Sequence, residues 1–175
     1  MPAPAGPREI RWRLELPNPT DFGITTVQQI HRPAVDWELS TLLREATAAK
    51  QPVEILGAGT KQVVGRAARS NVGITTLSLS GITLYEPSEL VMSAKAGTAL
   101  TLIEKELSQR NQMLAFEPID LGPALGSPAQ QGTIGAVFAT NLSGARRIMA
   151  GAARDHILGV GARSEERRVG KECRL

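Results

Sequence analysis

Two glycine-bearing segments hold the residues whose types and spacing best suit the binding of a charged ligand. In the first, an alternating stretch that begins at Val53 runs into Gly57, Ala58 and Gly59. The second covers 132–144 and mixes glycine with small and polar residues. Glycine tolerates positive φ and lets the main chain approach a ligand closely, so such turns can surround an anion with backbone N–H donors. Two turns of this kind can hold a diphosphate from both sides, which is the chemistry of a dinucleotide site.

Two better-known phosphate-binding motifs do not fit the first segment. A P-loop requires Ser or Thr after its lysine, but Lys61 is followed by Gln62. The Rossmann fingerprint begins well at Gly57 and Gly59, but Gln62 occupies its third glycine position. Taken alone, the pattern G-x-G-x-K is also compatible with a tight structural turn. The second segment and the stretch between the two favour the ligand-binding alternative.

The ordered combination of segments resembles a known family. Gly57-Ala58-Gly59-Thr60-Lys61 resembles the first phosphate loop of FAD-binding domains of the vanillyl-alcohol-oxidase, or PCMH, type. Thr133-Ile134-Gly135-Ala136, followed by Asn141-Leu142-Ser143-Gly144, is similar to that family's second loop, T-I-G-G…N-x-x-G. Further segments resemble the FAD-binding subunit of bacterial glycolate oxidases, namely 85–91, 96–98, 112–118, 143–147 and 151–160. Ala136 replaces the loop's second glycine, so this turn must accommodate a Cβ atom, and the family's later half is absent.

The resemblance implies an FAD cofactor held without a covalent bond, because neither His31 nor His156 stands where this family attaches flavin. The two loops would surround the diphosphate, and the side chains of Thr60, Asn141 and Ser143 would add hydrogen bonds. Lys61 would bring a positive charge, with an ordinary solvated lysine as the alternative. The implied cofactor-binding residues are Gly57, Ala58, Gly59, Thr60, Lys61, Thr133, Ile134, Gly135, Asn141, Ser143 and Gly144.

The same resemblance implies the FAD-binding subunit of a 2-hydroxyacid oxidase, with the oxidation of glycolate to glyoxylate as the leading reaction. The expected partners are a second flavin subunit, an iron–sulfur subunit and a small 2-hydroxyacid substrate. Without the later half, the chain alone is expected to be inactive. Two alternatives stay open: a non-catalytic flavin-binding or scaffold subunit, and an FAD-linked dehydrogenase with another substrate. The sequence identifies no catalytic base and no metal site.

The terminal segment 163–175 resembles the translation of a sequencing-adapter read-through, and we set it apart from the fold. It carries five of the 20 Lys and Arg and three of the 17 Asp and Glu, which leaves 15 basic against 14 acidic residues elsewhere. The net charge outside this segment is therefore +1 instead of the +3 of the whole chain. A balance so close to neutral gives no indication of a nucleic-acid partner.

The only cysteine, Cys173, lies in that terminal segment, so the remainder has no disulfide framework and no cysteine metal site. This usage fits a reducing compartment. No apolar run reaches the length of a membrane span, and residues 1–7 lack the apolar core of a secretory signal. We expect a cytoplasmic protein without a transmembrane segment, and peripheral attachment at the inner face of the membrane stays open.

The chain divides into three predicted regions: an irregular, proline-rich arm over 1–25, an incomplete FAD-binding PCMH-type domain over 26–162, and the terminal segment. The hydrophobic pattern predicts an α+β fold with short strands and two packed helices. The first helix begins with Asp36 as its cap and ends near Ala49. The second is capped by Thr98 and buries Leu100, Ile103 and Leu107.

Short strands are predicted over 27–31, 52–56, 75–80, 82–85, 90–96 and 113–116. In the second of them Val53 and Ile55 should face inward and Glu54 outward. Residues 120–132 are predicted to form a loop because glycine and proline recur there. The stretch 133–140 mixes small and apolar residues, so its sequence leaves strand and helix open.

Overall fold

Helices and short strands alternate along residues 27–62, 64, 70–126, 128–163 and 168–172, which are the residues that the computed structural model describes. The strands are β1 (Gln29–His31), β2 (Val53–Leu56), β3 (Val72–Thr75), β4 (Ile82–Glu86), β5 (Val91–Ala94), β6 (Gly159–Arg163) and β7 (Arg168–Glu172). The helices are α1 (Asp36–Ala48), α2 (Leu100–Ser108), α3 (Ile134–Thr140) and α4 (Arg147–Ala150), with 3-10 turns at Pro123–Leu125 and Ala153–His156. The α+β prediction is confirmed. The arm predicted over 1–25 lies outside the described residues.

A three-stranded parallel sheet of order β1-β3-β2 delivers the chain to the first glycine segment. The central strand, β3, pairs in parallel with both of its neighbours. Parallel strands need a long connection, and α1 provides it between β1 and β2. Leu56 pairs with Thr75 at the end of the ladder. Gly57 therefore leaves the sheet beside the carboxyl end of β3.

Two predictions for this sheet are wrong. The strand predicted over 75–80 is instead β3, which ends at Thr75. The chain turns there because the Leu79 N–H donates a hydrogen bond to the Thr76 carbonyl at 2.8 Å. Ile55, predicted to face inward, is 56% exposed, and Leu56 is the buried residue of β2. Since β2 is an edge strand of a small sheet, the described residues cover it only in part.

The helices form near their predicted bounds, but their capping residues were predicted wrongly. Val35, rather than Asp36, is the N-cap of α1, and Ala99 is the N-cap of α2. Thr98 is fully buried, and its hydroxyl accepts a hydrogen bond from the Gly81 N–H at 2.9 Å. The Thr98 hydroxyl therefore ties the chain before β4 to the start of α2.

The stretch 113–116 was predicted wrongly as a strand, because it pairs with no strand among the described residues. Phe116 is buried at 5% exposure, whereas Met113 is 71% exposed, so only one end of the stretch reaches the core. The open question over 133–140 is resolved as a helix, α3. None of the described helices combines the length and the apolar character that a membrane crossing requires.

The hydrophobic core joins α2, α3 and the β4–β5 hairpin. Its buried members are Ile103, Leu107, Phe116, Ile134, Val137 and Ala153. Side chains of the hairpin, including Tyr85 and Met92, pack against this cluster. Burial of one Leu, Ile or Phe side chain stabilises a fold by about 1.5–3 kcal/mol. The core therefore fixes the position of α3 and of the glycine segment that leads into it.

Strands β6 and β7 form a separate antiparallel pair. β7 lies within the segment 163–175 that the sequence sets apart as read-through. Backbone pairing makes few demands on side chains, so a free strand edge can pair with an unrelated segment. The origin of that segment stays a prediction.

Ile103 and its neighbour Leu102 offer a matched test of the core. Ile103 is 2% exposed, whereas Leu102 is 43% exposed. Replacing Ile103 with Ala should lower the free energy of unfolding by about 2–5 kcal/mol, because the lost atoms leave a cavity. Replacing Leu102 with Ala should change it by about 0.5 kcal/mol or less. Urea unfolding followed by circular dichroism measures both, and equal losses would contradict this core.

Candidate functional site

The first bend starts where β2 ends, and two threonines anchor it. Thr75 donates its hydroxyl to the Gly57 carbonyl at 3.0 Å, and Thr76 donates its hydroxyl to the Leu56 carbonyl at 3.2 Å. Gly59 has a φ of +77°, in the left-handed region where other residues are strained. The bend is therefore a fixed turn whose first carbonyls are held toward β3.

The N–H groups at the tip of this bend are available to an outside acceptor. Those of residues 58–61 donate hydrogen bonds to none of the described residues, while the Gln62 N–H closes the turn on the Gly59 carbonyl at 3.3 Å. Thr60 is only 9% exposed, so the bend is not a freely solvated loop. Because sheltered N–H groups are normally paired, this tip suits a ligand oxygen.

The second segment begins at Thr133 and continues into α3. The N–H groups of Ile134 and Gly135 donate to the carbonyls of Thr98 and Ala96, both at 2.9 Å. A Cβ atom at Gly135 would lie 2.7 Å from the Ala96 carbonyl oxygen, so only glycine fits there. Ile134 and Gly135 therefore position the segment, and their N–H groups are already used inside the protein.

The two segments meet at Gly57 and Thr133. A Cβ atom at Gly57 would lie 2.6 Å from Thr133 Oγ1 and 3.7 Å from the Cβ of Ala136. The methyl group of Ala136, which replaces the expected glycine, would therefore not collide even with a side chain at Gly57. Thr133 is 2% exposed, and its hydroxyl is buried without a hydrogen-bond partner among the described residues. An unsatisfied buried hydroxyl costs about 1–3 kcal/mol, which a bound acceptor or donor would offset.

Ser143 and Gly144 lie at the other end of the second segment, against Glu117 and Pro118. Ser143 pairs with Pro118 in an isolated antiparallel bridge, and the Gly144 N–H donates to the Glu117 carbonyl at 3.0 Å. A Cβ atom at Gly144 would overlap the Glu117 carboxylate. The Ser143 hydroxyl is the second buried side-chain group that lacks a partner within the described part of the chain. Thr133 and Ser143 thus both carry a hydroxyl suited to an oxyanion ligand.

Asn141 ends α3 in the left-handed conformation, with a φ of +49°. Asparagine is one of the few residues other than glycine that adopt this conformation readily. Its Oδ1 accepts a hydrogen bond from the Arg154 N–H at 3.2 Å. The side-chain oxygen expected to meet a phosphate or ribose therefore fastens the 3-10 turn at Ala153–His156 to α3.

Lys61 has a longer-range partner that the sequence did not indicate. Asp120 accepts hydrogen bonds from the Gln130 N–H at 2.7 Å and the Gly122 N–H at 3.0 Å. These two bonds hold the pKa of Asp120 below its usual value, against a smaller opposing effect of burial. The Lys61 ammonium lowers the same pKa further through its charge. The charge of Lys61 thus acts on a carboxylate of the loop that leads toward the second segment.

No described side chain at this site stands ready for acid–base catalysis or for metal binding. The His156 Nε2 lies 2.6 Å from the Ala150 carbonyl oxygen. Within the described ranges, no three His, Cys, Asp or Glu side chains come together as a metal site. The pocket beside Asp120 holds about 70 Å³, against about 300–1,000 Å³ for a typical ligand site. This pocket by itself is too small to hold a dinucleotide cofactor.

Sequence comparison identifies the family of this chain and the family's cofactor. Residues 27–164 match the family described as FAD binding domain. The chain belongs to this FAD-binding family. Its cofactor is FAD, and the match includes the first bend, the second segment and the loop between them. The unpaired N–H groups and the two unsatisfied hydroxyls suit the diphosphate of that cofactor.

Individual relatives agree with the family. The chain is 34% identical over 117 residues to the glycolate oxidase subunit GlcE of Escherichia coli strain K12, which covers 67% of this chain and 31% of the relative. Among solved structures, two crystal forms of alkyldihydroxyacetonephosphate synthase share the fold. Their TM-scores are 0.67 and 0.64, with 18% and 17% identity, over 82% and 83% of this chain and 26% and 28% of theirs. The chain thus spans less than a third of the length of each of these relatives.

Three residues that shape the site were missed by sequence reasoning: Thr75, Thr76 and Glu117. The threonines hold the carbonyls of the first bend, and Glu117 holds the segment around Gly144. The threonine pair at the end of β3 was visible in the sequence. Its meaning depends on β3 lying beside β2, which sequence spacing alone does not establish.

The contact between Gly57 and Thr133 can be tested in the cofactor-free 175-residue chain. Replacing Gly57 with Ala should lower the free energy of unfolding by about 1–3 kcal/mol, because the new methyl group would collide with Thr133 Oγ1. Adding Thr133→Ala should recover most of that loss. Adding Thr133→Val, which keeps an atom in place of Oγ1, should recover little.

Thermal unfolding monitored by circular dichroism measures these variants. Gly161→Ala serves as the control, because a Cβ atom there meets nothing within 4 Å. Equal recovery by the Ala and Val substitutions at Thr133 would contradict a direct contact.

Proposed function

We propose that this chain is the flavin-binding part of a subunit of a 2-hydroxyacid oxidase that converts glycolate to glyoxylate. The observation that carries the proposal is the meeting of Gly57 with Thr133, in a chain that is 34% identical to a glycolate oxidase subunit. A diphosphate needs donors from two sides, and the two glycine segments offer them at one junction. The identity to that subunit supports glycolate in preference to another hydroxyacid.

The residues that would hold FAD divide into two groups. Backbone N–H groups of residues 58–61 and the hydroxyls of Thr133 and Ser143 are proposed to bind the diphosphate directly. Lys61 adds positive charge beside them. The remaining predicted residues shape the site, and they are Gly57, Ile134, Gly135, Asn141 and Gly144.

When bound, FAD supplies the acceptor for the two electrons that leave the hydroxyacid carbon. The protein binds and orients the cofactor and keeps the diphosphate in a partly desolvated place, where each hydrogen bond to it is stronger than in water. We place the substrate-binding groups outside this chain, which spans 31% of the glycolate oxidase subunit. This chain's own part is to hold the cofactor.

The proposed partners are a second flavin subunit and an iron–sulfur subunit of the same enzyme, which would take electrons from the reduced cofactor. The support is the similarity to a protein whose name identifies it as one subunit of glycolate oxidase. We propose a cytoplasmic location, with peripheral attachment at the inner face of the membrane through these partners.

A second candidate function is a subunit that holds flavin without turning over substrate. It is favoured by the hydrogen bonds that polar side chains near the site make to the protein backbone. His156 contacts a backbone carbonyl, and the Glu117 carboxylate accepts a hydrogen bond from the Arg146 N–H at 2.9 Å. Both groups thus take part in hydrogen bonds that hold the backbone around the site.

The test uses the complete gene product, co-expressed with the proposed partner subunits. The purified complex should show oxidised-flavin absorbance, and acid precipitation should release the flavin because no covalent bond holds it. Glycolate should bleach this absorbance and reduce an artificial dye, with a larger kcat/KM than D-lactate gives.

Each result separates the alternatives. Flavin that stays with the acid-precipitated protein would contradict non-covalent binding. Bound flavin that no hydroxyacid reduces would support the holding function. A complex without flavin would overturn the proposal altogether.

A further inference from the structure

Glu117 makes an unusually complete set of contacts with the second segment. Its backbone carbonyl accepts the Gly144 N–H at 3.0 Å, and its Oε2 accepts the Arg146 N–H at 2.9 Å. The next residue, Pro118, forms an isolated antiparallel β-bridge with Ser143. Main chain and side chain of Glu117 thus hold Gly144 and Arg146, which follow Ser143 in the chain.

The contact with Gly144 is close as well as polar. A Cβ atom at Gly144 would overlap the Glu117 carboxylate. The carboxylate therefore occupies the space that a side chain would otherwise fill. The backbone at Gly144 therefore packs directly against this carboxylate.

Ser143 is the residue whose position these contacts decide. Its hydroxyl is buried and has no partner among the described residues. No hydrogen bond within the described residues holds the hydroxyl, so its position depends on the backbone that carries it. A hydrogen bond to a phosphate loses strength steeply when its geometry is wrong.

We propose that Glu117 is a positioning residue of the flavin site, which orients Ser143 through the reach of its carboxylate to the Arg146 N–H. The inference rests on the proposed function, because it takes the Ser143 hydroxyl as a ligand of FAD. The role proposed for Glu117 is one of positioning, because its Oε2 accepts a hydrogen bond from the backbone N–H of Arg146. What matters is the length of the side chain and its acceptor oxygen, rather than the negative charge.

Two conservative substitutions separate length from charge. Glu117→Gln keeps the reach and an acceptor oxygen without the charge. Glu117→Asp keeps the charge but is one methylene shorter, so it does not reach the Arg146 N–H. In the complete gene product stripped of flavin, FAD affinity is measured by the quenching of flavin fluorescence. We expect Glu117→Asp to weaken binding about tenfold or more, and Glu117→Gln to weaken it about threefold or less.

Glu89→Asp is the matched control, because Glu89 is exposed in the turn between β4 and β5. It should leave FAD affinity unchanged. Circular dichroism and the unfolding temperature of each flavin-free variant establish that it is folded. Because both test variants keep a side chain of similar shape, at least one of them gives a folded protein for comparison.

A double-mutant cycle shows whether Glu117 acts through Ser143. Ser143→Ala should weaken FAD binding in the wild-type background and have almost no further effect beside Glu117→Asp. Independent, multiplying losses would overturn the inference, as would a Gln variant that binds worse than the Asp variant. A wild-type protein that binds no FAD would instead contradict the proposed function. Failure of the Glu117 inference and failure of the proposed function are therefore distinguishable.

Discussion

The close approach of Gly57 to Thr133 is the constraint on which the site depends. A Cβ atom at Gly57 has no room beside Thr133 Oγ1, so the two segments meet only because the first lacks a side chain there. The parallel sheet fixes the position of Gly57, since Leu56 pairs with Thr75 and the Thr75 hydroxyl donates a hydrogen bond to the Gly57 carbonyl. The hydrophobic core fixes the position of Thr133, since the next residue, Ile134, is buried in that core. Two separate parts of the fold thus converge on one contact.

Much of this arrangement could be predicted from the sequence, and the failures have physical causes. Alternation into Gly57 predicted β2, and apolar spacing predicted α2 with Ile103 and Leu107 buried. Local patterns carry that information. The roles of Thr98 and Ile55 depend instead on which segments lie alongside, since a hydroxyl that could cap a helix can equally bond a distant loop. The binding residues were predicted through family resemblance, whereas Thr75 and Glu117 were missed because their partners are far away in the chain.

The polar groups of the site fall into two classes: those that hydrogen-bond within the protein, and those that have no partner among the described residues. Gly135, Asn141 and Glu117 use their polar groups within the protein itself, through bonds to Ala96, Arg154 and Arg146. The hydroxyls of Thr133 and Ser143 are left without partners among the described residues, which costs stability in the cofactor-free protein because both groups are buried. Such a site gains stability when its ligand arrives, because binding satisfies groups that folding left unpaired. The chain belongs to an FAD-binding family, and we propose FAD as the ligand of these two hydroxyls.

The central claim is that one diphosphate contacts both segments at once. A titration of the ¹⁵N-labelled 175-residue chain with ADP, followed by amide ¹H–¹⁵N correlation spectra, tests it most directly. The amide signals of residues 58–61 and of Thr133 should shift together and follow a single binding curve, because one ligand perturbs both segments. Shifts confined to one segment, or two curves with different midpoints, would contradict a shared site.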